Sequence, residues 1–289
     1  MSVYRNMIAA LAVATAAAVA APAFAADVKL PARLSWTAYG TTSSGYAQSI
    51  GLGNMLKKHY DTELRVIPGK NDVSRMLPLK AGQAQICACG IAAYFGQEGV
   101  LMFANKNWGP TKIFNLFNNL GRNGTGLVFA GDAGIKSAAD LKGKRVTWVK
   151  GAPALNLNAT AVLAFGGLTW DDVEKVEVPG WGQSMQAILH GQADAAYGST
   201  IPSIYAQISA SPRGIYHPTF PPADTAGGAR LHEVAPYWNK VRASNPLGSQ
   251  NNASGQMTSE GAGYDHQTLL SLTHLGCSLP TVTTLRALE

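Results

Sequence analysis

Charge, cysteine and long apolar runs are all scarce in this chain. Only 14% of its 289 residues are charged and three are Cys, against 46% hydrophobic residues. That balance excludes a mostly disordered polyelectrolyte and a disulfide-stapled miniprotein, and the length allows a well-buried core in two lobes of ordinary size. One apolar run is long, and it lies at the start. Arg5, the Ala- and Val-rich stretch Ile8 to Ala21 and the small-x-small site Ala23-Phe24-Ala25 predict a secretory signal peptide over 1–25. A transmembrane anchor fits less well, because the run is short and Ala-rich.

Enzyme signatures are missing too. The chain has no G-x-S-x-G elbow, no phosphate-binding G-x-x-x-x-G-K-[ST] loop and no H-E-x-x-H helix, and its six His never fall four apart. No catalytic residue, cofactor or metal site is expected. An exported hydrolase using Ser43 or Ser199 lacks a base. Cys87 and Cys89 have no His or acidic neighbour at metal-ligand spacing, so they read as small buried filler rather than a redox pair or metal clip, and Cys277 lies far away. Without Arg5 the chain keeps 22 basic against 17 acidic residues. This excess is scattered and not interleaved with aromatics, which argues against nucleic acid and for an anionic ligand or a membrane encounter.

What is present is a doubled unit. Lys80-Ala-Gly-Gln-Ala-Gln-Ile-Cys-Ala-Cys-Gly90 and His190-Gly-Gln-Ala-Asp-Ala-Ala-Tyr-Gly198 both read as a helix end, a Gly turn and a short apolar strand. Strands and helices alternate on either side, predicting α/β architecture with parallel sheets flanked by helices. Strands are expected near 32–39, 63–67, 113–120, 126–130, 145–149, 173–178 and 214–216. Helices are expected at 46–59, from 71, from Pro153, over 184–190 and over 201–209, with a Pro/Gly-rich linker at 218–228 and a loop at 245–259.

In open α/β sheets ligands gather beyond the carboxyl ends of the strands. That places Thr42 and Ser43, Asn71 and Asp72, Tyr94 and Gln97, Asn156 and Asn158, Trp181, and Ser199 with Thr200 around one cleft. Helix starts at Ser44 and Pro153 would favour a carboxylate, and Arg75, Arg122 or Lys70 would supply charge. For any single Ser, Thr or Asn the competing role is a plain helix cap. Gln85 stands where Asp194 does, so the two lobes are expected to treat the ligand differently.

Four stretches carry a family resemblance: Tyr39-Gly-Thr-Thr-Ser-Ser-Gly-Tyr46, Gly69-Lys-Asn-Asp-Val-Ser-Arg through Gly82, Ser137-Ala-Ala-Asp-Leu-Lys-Gly-Lys-Arg-Val146 and Gly191-Gln-Ala-Asp-Ala195. From about Leu34 to Tyr216 the chain resembles the TAXI family of TRAP-transporter solute-binding proteins. The resemblance implies a two-lobed periplasmic binding protein, or Venus flytrap, with lobe I at 26–125 and 226–289 and lobe II at 126–225. It implies capture of a small organic anion, a carboxylate or an amino acid such as glutamate, for a TRAP-type permease driven by an ion gradient. It also places Thr42, Ser43, Tyr46, Asn71 and Asp72 on the ligand, with Gly151 through Asn156, including Pro153, from lobe II. The alternative partner is a signalling receptor.

Overall fold

A computed structural model describes residues 29–119, 124–199, 203–217, 220–221, 223–238, 240–242, 262–265 and 268–273. Signal segment 1–25, Arg122, Thr200, the 245–259 loop and Cys277 lie outside the described residues. Pro31–Gly276 form one compact unit that contains two sheets.

The first lobe begins with β1 (Arg33–Tyr39), α1 (Ser44–Tyr60), β2 (Glu63–Gly69), α2 (Asp72–Lys80), β3 (Ile86–Ala88), α3 (Ile91–Glu98) and β4 (Ile113–Asn119). Local chemistry sets these boundaries. Ser43 Oγ caps α1 by accepting the Tyr46 N–H at 3.2 Å, and Lys57, Lys58 and His59 in the last turn complement the helix dipole. Asn71 and Ser74 close a reciprocal capping box on α2. Pro78 sits near the end of that helix, where its missing N–H is tolerated for one further half-turn.

The second lobe holds β5 (Gly124–Ala130), β6 (Arg145–Val149), α4 (Pro153–Phe165), β7 (Glu174–Val178), α5 (Trp181–Leu189), β8 (Ala195–Ser199), α6 (Ile204–Ala210) and β9 (Ile215–Tyr216). It continues with α7 (Thr225–Val234), β10 (Lys240–Arg242) and β11 (Ala262–Asp265), before β12 (Thr268–Thr273). The α7 helix corrects the expected 218–228 linker. Asp224 accepts the Gly227 N–H at 2.7 Å, a side-chain cap that starts a helix despite the flanking glycines.

Both lobes are α/β, as expected, and both sheets share one plan. The first has the order β2-β1-β3-β12-β4 and the second β10-β11-β5-β8-β6-β7, with β9 against β5. In each, a parallel triplet (β2-β1-β3 and β7-β6-β8) meets antiparallel strands on one side. The segment expected to return to lobe I divides. β12 joins the first sheet, but β10 and β11 extend the second, and α7 packs on α4. Arg230 secures that packing by donating to the last α4 carbonyls, Ala164 at 2.9 Å and Phe165 at 2.7 Å.

The doubled unit proves to be one registration device used twice. Gln85 Oε1 accepts the Ser35 N–H of β1 at 2.8 Å, and Asp194 Oδ2 accepts the Arg145 N–H of β6 at 3.1 Å. In both copies the backbone N–H of the same residue also donates to that partner's carbonyl. The expected difference toward ligand is corrected, since both residues pin a strand start and neither lines the cleft. Cys87 and Cys89 also depart from expectation. They pair as a disulfide with Cα atoms 5.2 Å apart, within bridging range, where β3 gives way to the left-handed Gly90.

Candidate ligand-binding site

Between the lobes lies a cleft, open at its mouth. Lobe one supplies Tyr39 from the end of β1, Ser43, Ser44 and Gly45 at the start of α1, Arg75, and Ala88 through Ile91 where β3 meets α3. Lobe two supplies Ala154, Leu155 and Asn158 of α4, Trp181 of α5, and Tyr197 and Gly198 of β8. Four helix starts therefore converge on one space. Those of α3, α4 and α5 follow Gly90, Ala152 and Gly180, and none of these carries a side-chain cap. Each start presents the positive end of a helix dipole.

A buried network organises the floor. Asp72 is fully buried and accepts the Arg75 Nη2–H at 2.6 Å and the Tyr39 hydroxyl on Oδ1, while its Oδ2 accepts the Ala154 N–H at 2.8 Å. The first-lobe carboxylate thus occupies one of the second lobe's helix starts. Arg75 also donates to the carbonyls of Ala88 and Cys89, and its guanidinium lies 3.4 Å from the Tyr39 ring centroid. Burial, reinforced by Asp72, raises the Tyr39 phenol well above its ordinary value although Arg75 opposes this, so the hydroxyl remains a donor.

Backbone groups join the lobes beside this network. Val73 N–H donates to Gly151 at 3.1 Å and Trp181 N–H to Lys70 at 2.9 Å, while Asn71 Nδ2 donates to the Lys150 carbonyl at 2.9 Å. Gly151, at φ +71°, is required here because a Cβ would stand 2.7 Å from Asn71 Nδ2.

Of the residues singled out from the sequence, Ser43, Arg75, Asn158 and Trp181 line the cleft, as do Ala154 and Leu155 of the Gly151–Asn156 stretch. Asn71 and Asp72 are spent on the seam between the lobes. Pro153 is buried at the first position of α4, and Asn156 turns inward to bond both the N–H and the C=O of Val149 at 2.9 Å. Thr42 offers its carbonyl to Ser203 Oγ at 3.2 Å, and Tyr46 contributes its N–H to the α1 cap. Tyr94 and Gln97 are exposed on the outer face of α3, opposite the buried Ala92, Ala93, Phe95 and Gly96. Ser199 ends β8 opposite Thr125. Ser43 Oγ is engaged as a helix cap, and no His is among the described residues that line the cleft.

Sequence reasoning passed over Tyr39, Ile91 and Tyr197 as ligand-facing. Tyr39 and Tyr197 each precede a Gly at a strand end, which was the available signal. Tyr39 stacks on Trp181 with centroids 6.4 Å apart, Trp181 Nε1 donates to the Tyr197 carbonyl at 3.1 Å, and all three residues line the cleft.

A family model described as NMT1/THI5 like matches residues 58–227, which span both lobes and the seam. The chain belongs to the NMT1/THI5-like family. Among solved structures, this NMT1/THI5-like chain is similar to the alkanesulfonate-binding protein of Xanthomonas axonopodis pv. citri bound to MOPS, with 20% identity, 59% of this chain and 56% of that one covered, and a TM-score of 0.44. A protein of Bordetella bronchiseptica RB50 matches at 17% identity over 89% of this chain and 66% of that one, TM-score 0.48. An amino acid ABC transporter substrate-binding protein of Streptococcus pneumoniae bound to L-arginine matches at 14% identity over 71% and 90%, TM-score 0.44. The chain spans little more than half, 56%, of the length of the sulfonate-binding protein. No curated protein matches it. Among the described residues no helix is long and apolar enough to cross a membrane.

Proposed function

We propose that this chain is a periplasmic solute-binding protein that captures a small organic anion, a carboxylate or an amino acid, between its lobes and delivers it to a membrane permease. The observation that carries this reading is the convergence of the uncapped α3 and α5 starts and Arg75 on an aromatic-walled cleft. A partly buried anion gains about 0.3 to 2 kcal/mol from each helix start, and a charge-assisted hydrogen bond adds about 1.5 to 3 kcal/mol. At the top of these ranges two helix starts and Arg75 come to ~7 kcal/mol, close to the ~8 kcal/mol of micromolar binding. The proposed anion end approaches these donors, and Tyr39, Trp181 and Tyr197 cover its apolar body.

Thermal unfolding against a panel of carboxylates, alkanesulfonates and amino acids tests the reading. A ligand at a hundred times its Kd adds about 2.7 kcal/mol, or about 5 to 10 °C in Tm for a chain of this size. A folded protein that none of the panel stabilises refutes it. The partner is tested separately by uptake in cells. A TRAP-type permease, which the sequence resemblance implies, stops working when the ion gradient is collapsed. An ATP-driven permease of the kind named for the Streptococcus protein stops when ATP is depleted.

A further inference from the structure

Asn158 lies on the second turn of α4, 3% exposed and among the residues that line the cleft. Its side-chain oxygen accepts two hydrogen bonds from behind, from the Tyr237 hydroxyl at 2.6 Å and from Trp238 Nε1 at 3.0 Å. An indole N–H can only donate, so the oxygen must take that position and the amide orientation is fixed by chemistry. The end turned to the cleft is then the NH2 group, with two donors and no acceptor.

The opposite wall has the same polarity. Arg75 is a donor throughout, and its buried Nε has no partner. No Asp or Glu is among the described residues that line the cleft. Asp72, which touches Tyr39 and Arg75, is sealed from the cleft with both oxygens engaged. The Tyr39 ring, a possible cation seat, already holds Arg75 and stacks on Trp181. A ligand ammonium would lose its water and find no carboxylate in exchange.

We propose that Asn158 is a specificity residue which, together with Arg75, makes the cleft read acceptor atoms and reject ammonium groups. The solute is then an organic acid without an amino group rather than an amino acid. This inference rests on the proposed role in solute capture and narrows its ligand class.

Calorimetry on the purified full-length chain with 3-phenylpropionate, phenylalanine and phenethylamine, and with pentanoate and norvaline, separates the two levels. Within each skeleton the acid is expected to bind at least ~100-fold tighter than its amino-acid counterpart, because a buried polar mismatch discriminates strongly. Equal or tighter binding of the amino acids overturns the inference and leaves solute capture standing. Binding of none of the five overturns both. N158D keeps an oxygen for Tyr237 and Trp238 but turns a carboxylate oxygen toward the cleft, so acid affinity should fall at least ~10-fold and the amine and amino acids should gain. An unchanged acid to amino-acid ratio in folded N158D overturns the assignment to Asn158. Should circular dichroism show N158D unfolded, N158A gives the same decision: a reduced ratio supports the inference and an unchanged one overturns it.

Discussion

Replacing Asp72 by Asn changes one oxygen into an NH2 group while keeping the shape. Asp72 accepts on both oxygens, from Arg75 and Tyr39 on one and from Ala154 on the other. Whichever way the new amide turns, an N–H faces an N–H or O–H, and Arg75, 3% exposed, loses its counterion. Breaking a buried pair by removing one partner costs about 3 to 5 kcal/mol. That is a large fraction of the ~5 to 15 kcal/mol available to a folded domain. Urea unfolding followed by two independent probes should show this loss as a lower midpoint. The double variant D72N/R75M provides the internal control, because removing the whole pair is far less damaging than stranding its cation. It should recover at least ~1 kcal/mol relative to D72N. A D72N loss below ~1 kcal/mol, or a double variant worse than the sum of the singles, refutes the reasoning from the buried pair.

The remaining predictions concern the seam, the acid response and the thiols. Gly151→Ala introduces strain at φ +71° and a contact with Asn71, whereas Gly143→Ala introduces the same strain at φ +71° into open space. Both should lose about 1 to 2 kcal/mol, but only G151A should also enlarge the radius of gyration in solution scattering. Burial pushes His217 down to about 4, below its unfolded value, so its contribution is complete above pH ~6.5 and fades as pH falls toward 4. H217N should flatten that limb of the stability curve. A second limb lies lower: burial raises the Asp194 carboxyl, but hydrogen bonds from Arg145 and Arg213 outweigh it and hold the group below the usual range. Its contribution is present above pH ~4 and is lost as pH falls through the lowered value, and D194N should remove this limb in urea titrations between pH ~2 and ~5. Thiol titration of unfolded protein should find one reactive group before reduction and three after it, given the Cys87–Cys89 pair among three cysteines; three before reduction would refute the pairing.

Architecture was legible because it is written in local patterns. Gly82 and Gly191 end helices at left-handed turns, Pro153 begins one, and the strand at 145–149 lies within its own sequence bounds. The candidate site was only partly legible, because polarity beyond a strand end says nothing about direction. Asn156 and Asn158 are two residues apart on one helix, about 200° around its axis. One therefore faces β6 and the other the cleft, and only their tertiary partners decide which. Asp72 was misjudged for a different reason: a carboxylate beside a helix start looks like part of an anion site, and here it is the anion. Tyr94 and Gln97 followed the right strand but lay beyond the first turn of α3, past the edge of the cleft.

The seam between the lobes has a consequence for engineering. Its acceptors are main-chain carbonyls of Lys70, Lys150 and Gly151, atoms that every residue type supplies. Apart from Gly151, Asn71, the Asp72 network, the Ser203–Thr42 bond and the Tyr39–Trp181 stack, these bonds do not depend on which side chains surround them. The proposed ligand preference, in contrast, is carried by the side chains of Asn158, Ile91 and Leu155, which make none of these seam hydrogen bonds. Recognition can therefore be rewritten at those positions while closure is kept, which makes the cleft a scaffold for sensors directed at other small acids.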